Sequence, residues 1–179
     1  MAIGRTFEEV IQKACRMVNP SLDGLDGEDS NLIDESIPLE EHLKTPTDTR
    51  LFAVQLAFEK GWSVDRVHEM TKIDRWFLHK LLNIAQLRQA VKAAGSLEVL
   101  AGTHGEARFR KLKLNGFSDQ QLARYLSLPG DLEGEARVRA QRKALGVTPV
   151  VKQIDTLAAE FPAQTNYLYM TYSGSEDDI

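Results

Sequence analysis

Apolar residues recur along most of this chain at the spacing of one helix face. Phe7, Val10, Ile11, Ala14, Met17 and Val18 form the first such stripe. It opens on Thr6-Phe7-Glu8-Glu9, a Thr cap with Glu three positions on, and closes at Asn19-Pro20. Residues 19–36 carry no period and are acidic and rich in Gly and Ser, which predicts an exposed loop. From 37 to 146 the helical pattern is almost continuous. It predicts helices over 48–60, stopped by Gly61, over 63–71 from a Ser63 cap, and over 74–94 from an Asp74 cap, ending at Gly95. Further helices are expected over 106–115 before Gly116, over 118–126 from a Ser118/Gln121 capping box, and from Pro129-Gly130 to Leu145 before Gly146. The long helix carries Trp76, Phe77, Leu81, Ile84, Ala85, Leu87 and Val91, and Trp76 and Phe77 are expected to anchor the core. On that reading Trp76→Ala costs about 3–5 kcal/mol.

Two stretches look alike. Gly61-Trp62-Ser63 and Gly116-Phe117-Ser118, displaced by 55 residues, each open a short helix, a turn and a longer helix, which reads as a duplicated helix-turn-helix-like unit. After Gly146 the pattern changes to β-branched residues and tyrosines, and 150–156 and 165–172 are candidate strands of an extended arm. Residues 173–179 read as a solvated tail. The fold class expected is therefore mainly α: an irregular helical domain with two helix-turn-helix-like units and a short β-rich C-terminal arm. The organisation expected is a junction helix over 1–18, an acidic loop over 19–36, a helical domain over 37–149 and an arm over 150–179.

Charge sharpens this outline. The 179 residues carry 22 Lys plus Arg and 26 Asp plus Glu, for a net charge of −4. Residues 1–49 sum to −7, 50–152 to +8 and 153–179 to −5, so a basic middle lies between acidic ends. Such a layout suits an anionic partner or segments that neutralise one another on folding. No run approaches a membrane span, and MAIGRTFEEV does not read as a secretory leader. The one cysteine, Cys15, lies on an apolar helix face and reads as an inert core thiol in a reducing compartment.

Candidate chemistry is sparse. The phosphate loops G-x-x-x-x-G-K-[ST] and G-x-G-x-x-G are absent from the sequence, and His42, His68, His79 and His104 have no ligand spacing to one another or to Cys15. Glu8-Glu9 and Glu40-Glu41 are adjacent on helices, where neighbours do not face each other. No catalytic, cofactor-binding or metal-ligating residue is assigned. A nucleic-acid module is a rival reading, because Arg137, Arg139, Arg142 and Lys143 lie on the second helix of the second unit, although Glu133 and Glu135 share that helix. Asp155 and Glu160 are expected either to pair with the basic middle or to face solvent.

Four segments in order carry a family resemblance. Ala2-Ile3-Gly4-Arg5-Thr6-Phe7-Glu8-Glu9, with Gln12-Lys13-Ala14 and Arg16, resembles the junction that ends the first ATP-grasp unit of carbamoyl phosphate synthetase. Lys72-Ile73-Asp74-Arg75-Trp76-Phe77-Leu78 and Gly116-Phe117-Ser118-Asp119 are similar to two helix starts in that family's central helical domain. Val151-Lys152-Gln153-Ile154-Asp155-Thr156-Leu157-Ala158-Ala159-Glu160-Phe161, with Thr165-Asn166-Tyr167-Leu168-Tyr169 and Thr171-Tyr172, resembles the approach to the second ATP-grasp unit. The acidic stretch from Asp23 to Ser36 and the stretch from Gly130 to Arg139 depart from the pattern.

The resemblance implies a non-catalytic oligomerization and spacer domain. It implies a parent ligase that makes carbamoyl phosphate from bicarbonate, ammonia or glutamine and two ATP, for arginine or pyrimidine synthesis. The segment is then expected to be inactive by itself and to hold no cofactor, with ATP and magnesium or potassium ions belonging to other domains. Its expected partners are the flanking ATP-grasp domains and further copies of itself, with no nucleic acid and no membrane. The expected location is intracellular, in the cytoplasm, with a mitochondrial or plastid parent left open.

Overall fold

The computed structural model describes residues 1–27, 32–129, 131–158, 160–162 and 167–179. Predictions that fall on 28–31 of the acidic loop, on Gly130, on Ala159 and on 163–166 of the second predicted strand lie outside the described residues. The order of elements is α1 (Phe7–Val18), α2 (Leu39–Lys44), α3 (Arg50–Glu59), α4 (Val64–Thr71), α5 (Arg75–Ala94), α6 (Leu97–Ala101), α7 (Gly105–Leu114), α8 (Asp119–Tyr125), α9 (Asp131–Ala144), β1 (Val150–Gln153) and β2 (Leu168–Thr171). This is a mainly α fold with a small antiparallel β arm.

The predicted caps form. Asp74 accepts a hydrogen bond from the Trp76 N–H at 2.7 Å, Ser63 caps α4, and Ser118 with Gln121 closes a reciprocal capping box on α8. At α1 the Thr6 hydroxyl caps Glu9, but the Glu9 carboxylate reaches past the cap residue to accept from the Arg5 N–H at 2.7 Å.

The duplication is deeper than the sequence pattern indicates. Helices α3–α4–α5 and α7–α8–α9 follow the same course, and α3 and α7 are both ten residues long and begin 55 positions apart. Each of these two helices ends in the same paired closure. Gly61 N–H donates to Phe58 and Trp62 N–H to Ala57; Gly116 N–H donates to Lys113 and Phe117 N–H to Leu112. Even the left-handed residues after the short helices correspond, Lys72 at φ 58° and Ser127 at φ 53°.

One apolar core runs through both units, built from Phe52, Val54 and Phe58 of α3, Leu78, Leu81, Ile84 and Val91 of α5, Phe109 and Leu112 of α7, and Leu122 of α8. Trp76 and Phe77 are not among its anchors. They are 55% and 42% exposed and pack instead on Phe7 of α1, with ring centroids 6.0 and 5.2 Å away. The helical period explains the difference: Leu78, Leu81, Ala85 and Arg88 define the inward face of α5, which leaves positions 76 and 77 at its margin. Trp76→Ala is accordingly expected to cost about 1–2 kcal/mol. Chemical denaturation beside Leu81→Ala, at about 3–4 kcal/mol, checks the order.

The acidic loop is exposed as expected at Pro20, Ser21 and 34–36, but its stretch from Gly24 to Gly27 is buried. Leu25 is fully buried, and Gly24, Asp26 and Gly27 are buried beside it. Its glycines serve close approach: a Cβ on Gly27 would lie 2.3 Å from the Leu56 nitrogen, and one on Gly24 would lie 2.4 Å from the Gln121 amide. The tail is exposed from Gly174 to Ile179, as expected, but it is tied to the sheet. The Asp177 and Asp178 carboxylates accept hydrogen bonds from the Val151 and Gln153 N–H groups, covering the free edge of β1. On its other edge β1 pairs with β2, Val151 facing Met170 and Lys152 facing Tyr169.

Candidate functional site

Polar side chains of α1 tie three separate parts of the fold together. Gln12 donates to the Asn115 carbonyl at 3.2 Å and accepts from Leu25 N–H and the Gln121 amide, both at 3.1 Å. Arg16 Nη1 donates to the carbonyls of Gly116 at 3.0 Å and Asp23 at 3.2 Å. Asn83 of α5 joins the same seam, donating to Glu8 and to the Asn115 side chain. The seam explains why Gln12, Glu8 and Glu9 are buried on a helix that the apolar pattern alone would orient differently. An amide or carboxylate is stable inside when its bonds are satisfied.

Lys13 extends the seam to both ends of the described chain. Its Nζ donates to the Ile3 carbonyl at 2.8 Å, to Glu9 Oε1 at 2.7 Å and to the Met170 carbonyl at 2.7 Å. The segment leading into α1 and strand β2 are therefore held on one ammonium group. Arg5 adds a looser contact over the Tyr169 ring, 5.9 Å from its centroid.

Beneath this crossing lies a second buried charge group. Lys113 Nζ donates to the Phe117 carbonyl at 2.6 Å and to Asp119 Oδ1 at 2.8 Å, and Arg142 Nε lies 3.0 and 2.9 Å from the two Asp119 oxygens. The ring of Tyr172 covers both cations, at 5.2 and 5.6 Å. Burial pulls Lys113 down to about 8 and lowers Arg16 from its ordinary range, while it pushes the Tyr172 hydroxyl up to about 12.

A third group pins the described part of the loop. Arg124 binds Asp23 from 2.9 and 2.7 Å, and Arg88 sits between Asp26 at 3.2 Å and Glu59 at 2.9 Å.

The residues singled out from sequence fall differently. Three of the four cations proposed for a recognition helix are engaged within the chain, Arg137 with Glu98, Arg139 with Glu135 and Arg142 with Asp119. A reading helix needs those side chains free to reach base edges, so the nucleic-acid reading loses its support. His42 and His68 meet backbone carbonyls of Asp34 and Ile73. Among the described residues no three of His, Cys, Asp and Glu gather as a metal site. Burial pushes the Cys15 thiol up to about 11, the opposite of activation. Asp155 accepts from the Leu157 N–H in a local turn, and Glu160 is exposed. Sequence reasoning assigned no role to Lys113 or Arg88. Their only signal is a cation at a core-facing position of an amphipathic helix.

These features define a class: a duplicated helical domain whose polar residues serve to join segments and whose two described ends meet. Residues 1–146 match the family described as "Carbamoyl-phosphate synthetase large chain, oligomerisation domain", and the chain belongs to that family. It is 49% identical over 180 residues to the carbamoyl phosphate synthase arginine-specific large chain of Eremothecium gossypii, matching all of this chain and 15% of that protein. It is 46% identical to the multifunctional protein URA2 of Saccharomyces cerevisiae, 8% of which it covers. It is 42% identical to the mitochondrial carbamoyl-phosphate synthase [ammonia] of Mus musculus, 11% of which it covers. The chain thus spans a small fraction of the curated relatives it matches. Among the described residues no helix is long and apolar enough to cross a membrane.

Proposed function

We propose that this domain is a non-catalytic brace and self-association unit within a carbamoyl phosphate synthetase. In this reading residues 1–18 are the junction helix from one ATP-grasp unit, 19–36 are a loop, 37–149 form the helical oligomerisation domain, and 150–179 are the arm that leads to the second unit. ATP, its metal ions and the chemistry of carbamoyl phosphate formation, for arginine or pyrimidine synthesis, belong to those units. The observation that carries the proposal is the Lys13 junction, which holds the incoming segment at Ile3 and the outgoing strand at Met170 on one side chain. A domain that returns the chain to its starting point fixes the two flanking units beside each other.

Spin labels placed at Ala2 and Ser175, with Cys15→Ala to remove the native thiol, should give a single narrow distance distribution. Lys13→Met should broaden it and lower stability by about 1–2 kcal/mol, since it strips the cation from the buried Glu9. A broad distribution in the wild-type chain would refute the brace. Light scattering across a wide concentration range should reveal a species larger than 20.1 kDa that dissociates on dilution. A monomer throughout would refute self-association by this segment. Bicarbonate-dependent ATP hydrolysis is expected to be absent from this chain.

A further inference from the structure

A cavity of about 170 Å³ opens between α1, the turn at Gly116–Ser118, α9 and β2. Four cations line it, Lys13, Arg16, Lys113 and Arg142. Among the described residues, two carboxylates form ion pairs with three of these four. Glu9 meets Lys13 at 2.7 Å, and Asp119 is shared by Lys113 at 2.8 Å and Arg142 at 2.9 Å. Arg139 also approaches Asp119, at 3.7 Å, so that carboxylate is already divided among three cations.

Arg16 is the unusual member. Its hydrogen-bond partners are two backbone carbonyls, both on Nη1, and it forms no ion pair with a carboxylate among the described residues. The Asp23 carboxylate, whose charge Arg16 also feels, is held by Arg124 at two distances below 3 Å. A half-buried guanidinium without a carboxylate beside three further cations leaves the cavity about two negative charges short. Charge of one sign inside low-dielectric walls concentrates a field that favours a counter-ion. A guanidinium with free in-plane donors selects oxygen anions over halide, because its fork matches two oxygens of one group.

We infer that this cavity is a binding site for a small oxyanion of the phosphate or carboxylate type, held by the remaining Arg16 donors at its mouth, with the charges of Lys13, Lys113 and Arg142 around it. The anion would sit under the crossing of the incoming segment and β2, so its occupancy would stiffen that junction. The inference does not depend on the brace reading: binding is measured on this chain whatever its ends do.

The test is a titration of the 179-residue chain at pH 7 with inorganic phosphate and, separately, with acetate, chloride making up constant ionic strength. A saturable rise in melting temperature is expected, about 3–6 °C at ten times Kd. The Arg16 Nε–H resonance should shift along the same isotherm. Arg16→Gln and Lys13→Gln should each weaken binding at least tenfold, and Lys143→Gln, on the exposed side of α9, should leave it unchanged. Saturation by phosphate alone assigns the site to a phosphoryl group, and saturation by acetate alone to a carboxylate. A response that is linear, matched by chloride, or retained in both cavity variants overturns the inference. If Arg16→Gln fails to fold, the wild-type resonance and Lys13→Gln decide.

Discussion

Replacing Arg88 by Met is expected to destabilise the chain by about 3–5 kcal/mol, the range for removing one partner of a buried ion pair. Arg88 is 1% exposed and faces Asp26 at 3.2 Å and Glu59 at 2.9 Å, with the Tyr125 ring 5.2 Å from its guanidinium carbon. Methionine matches the apolar stem but leaves two carboxylates in a site built around a cation. The loss is therefore one of charge compensation rather than of volume. Urea denaturation provides the measurement, and the double variant Arg88→Met with Glu59→Leu separates the causes. If charge is at stake, removing Glu59 as well should restore part of the loss. If the double variant is weaker than the single by a full additional increment, the cost lies in packing.

A second large effect is expected at Gly116, with its repeat partner as an internal control. Gly61 and Gly116 occupy equivalent turns at φ 80° and 83°, a conformation unfavourable for any residue with a Cβ. At Gly61 an added Cβ meets nothing within 4 Å, so Gly61→Ala should cost only the conformational strain, about 1 kcal/mol. At Gly116 the same Cβ would lie 2.9 Å from the Glu9 Cα and 3.0 Å from the Glu9 carbonyl oxygen. Backbone on both sides must separate, and Gly116→Ala should cost about 3 kcal/mol, the excess being overpacking. The same shift moves Arg16 and Lys13 from the cavity. Equal losses in the two variants would show that α1 yields freely at this contact.

Much of the fold was legible from local patterns. The cap at Asp74, the Ser118 box and the glycine closures after α3 and α7 follow from bonds within a few residues, so the sequence alone places them. The same holds for the helical class and the β arm. The family resemblance, carried by four short segments in order, pointed to the domain that residues 1–146 match.

Other features depended on which segments meet. The loop over 19–36 has the composition of an exposed connection, yet Leu25 is buried because Arg88, Arg124 and Gln12 supply partners for its polar groups. Trp76 and Phe77 are large and apolar, but one residue of helical rotation puts Leu78 inside instead. The cations of α9 looked available until α8 and α6 placed Asp119 and Glu98 against them.

What this sequence determined by itself is therefore what neighbours along the chain govern: the capped and glycine-stopped helices, the change to strand after Gly146, and the doubling of the helical unit. The short helices α2 and α6, which have too few turns to show a period, went unpredicted. The tertiary structure alone decided the partners of the buried charges. That is why the Lys13 junction and the cavity lined by Arg16 emerge only once the chain is folded. A charge one or two turns from an apolar stripe reads as solvent-facing unless the segment that neutralises it is known, and here that segment lies at the far end of the chain, or a hundred residues away at Gly116.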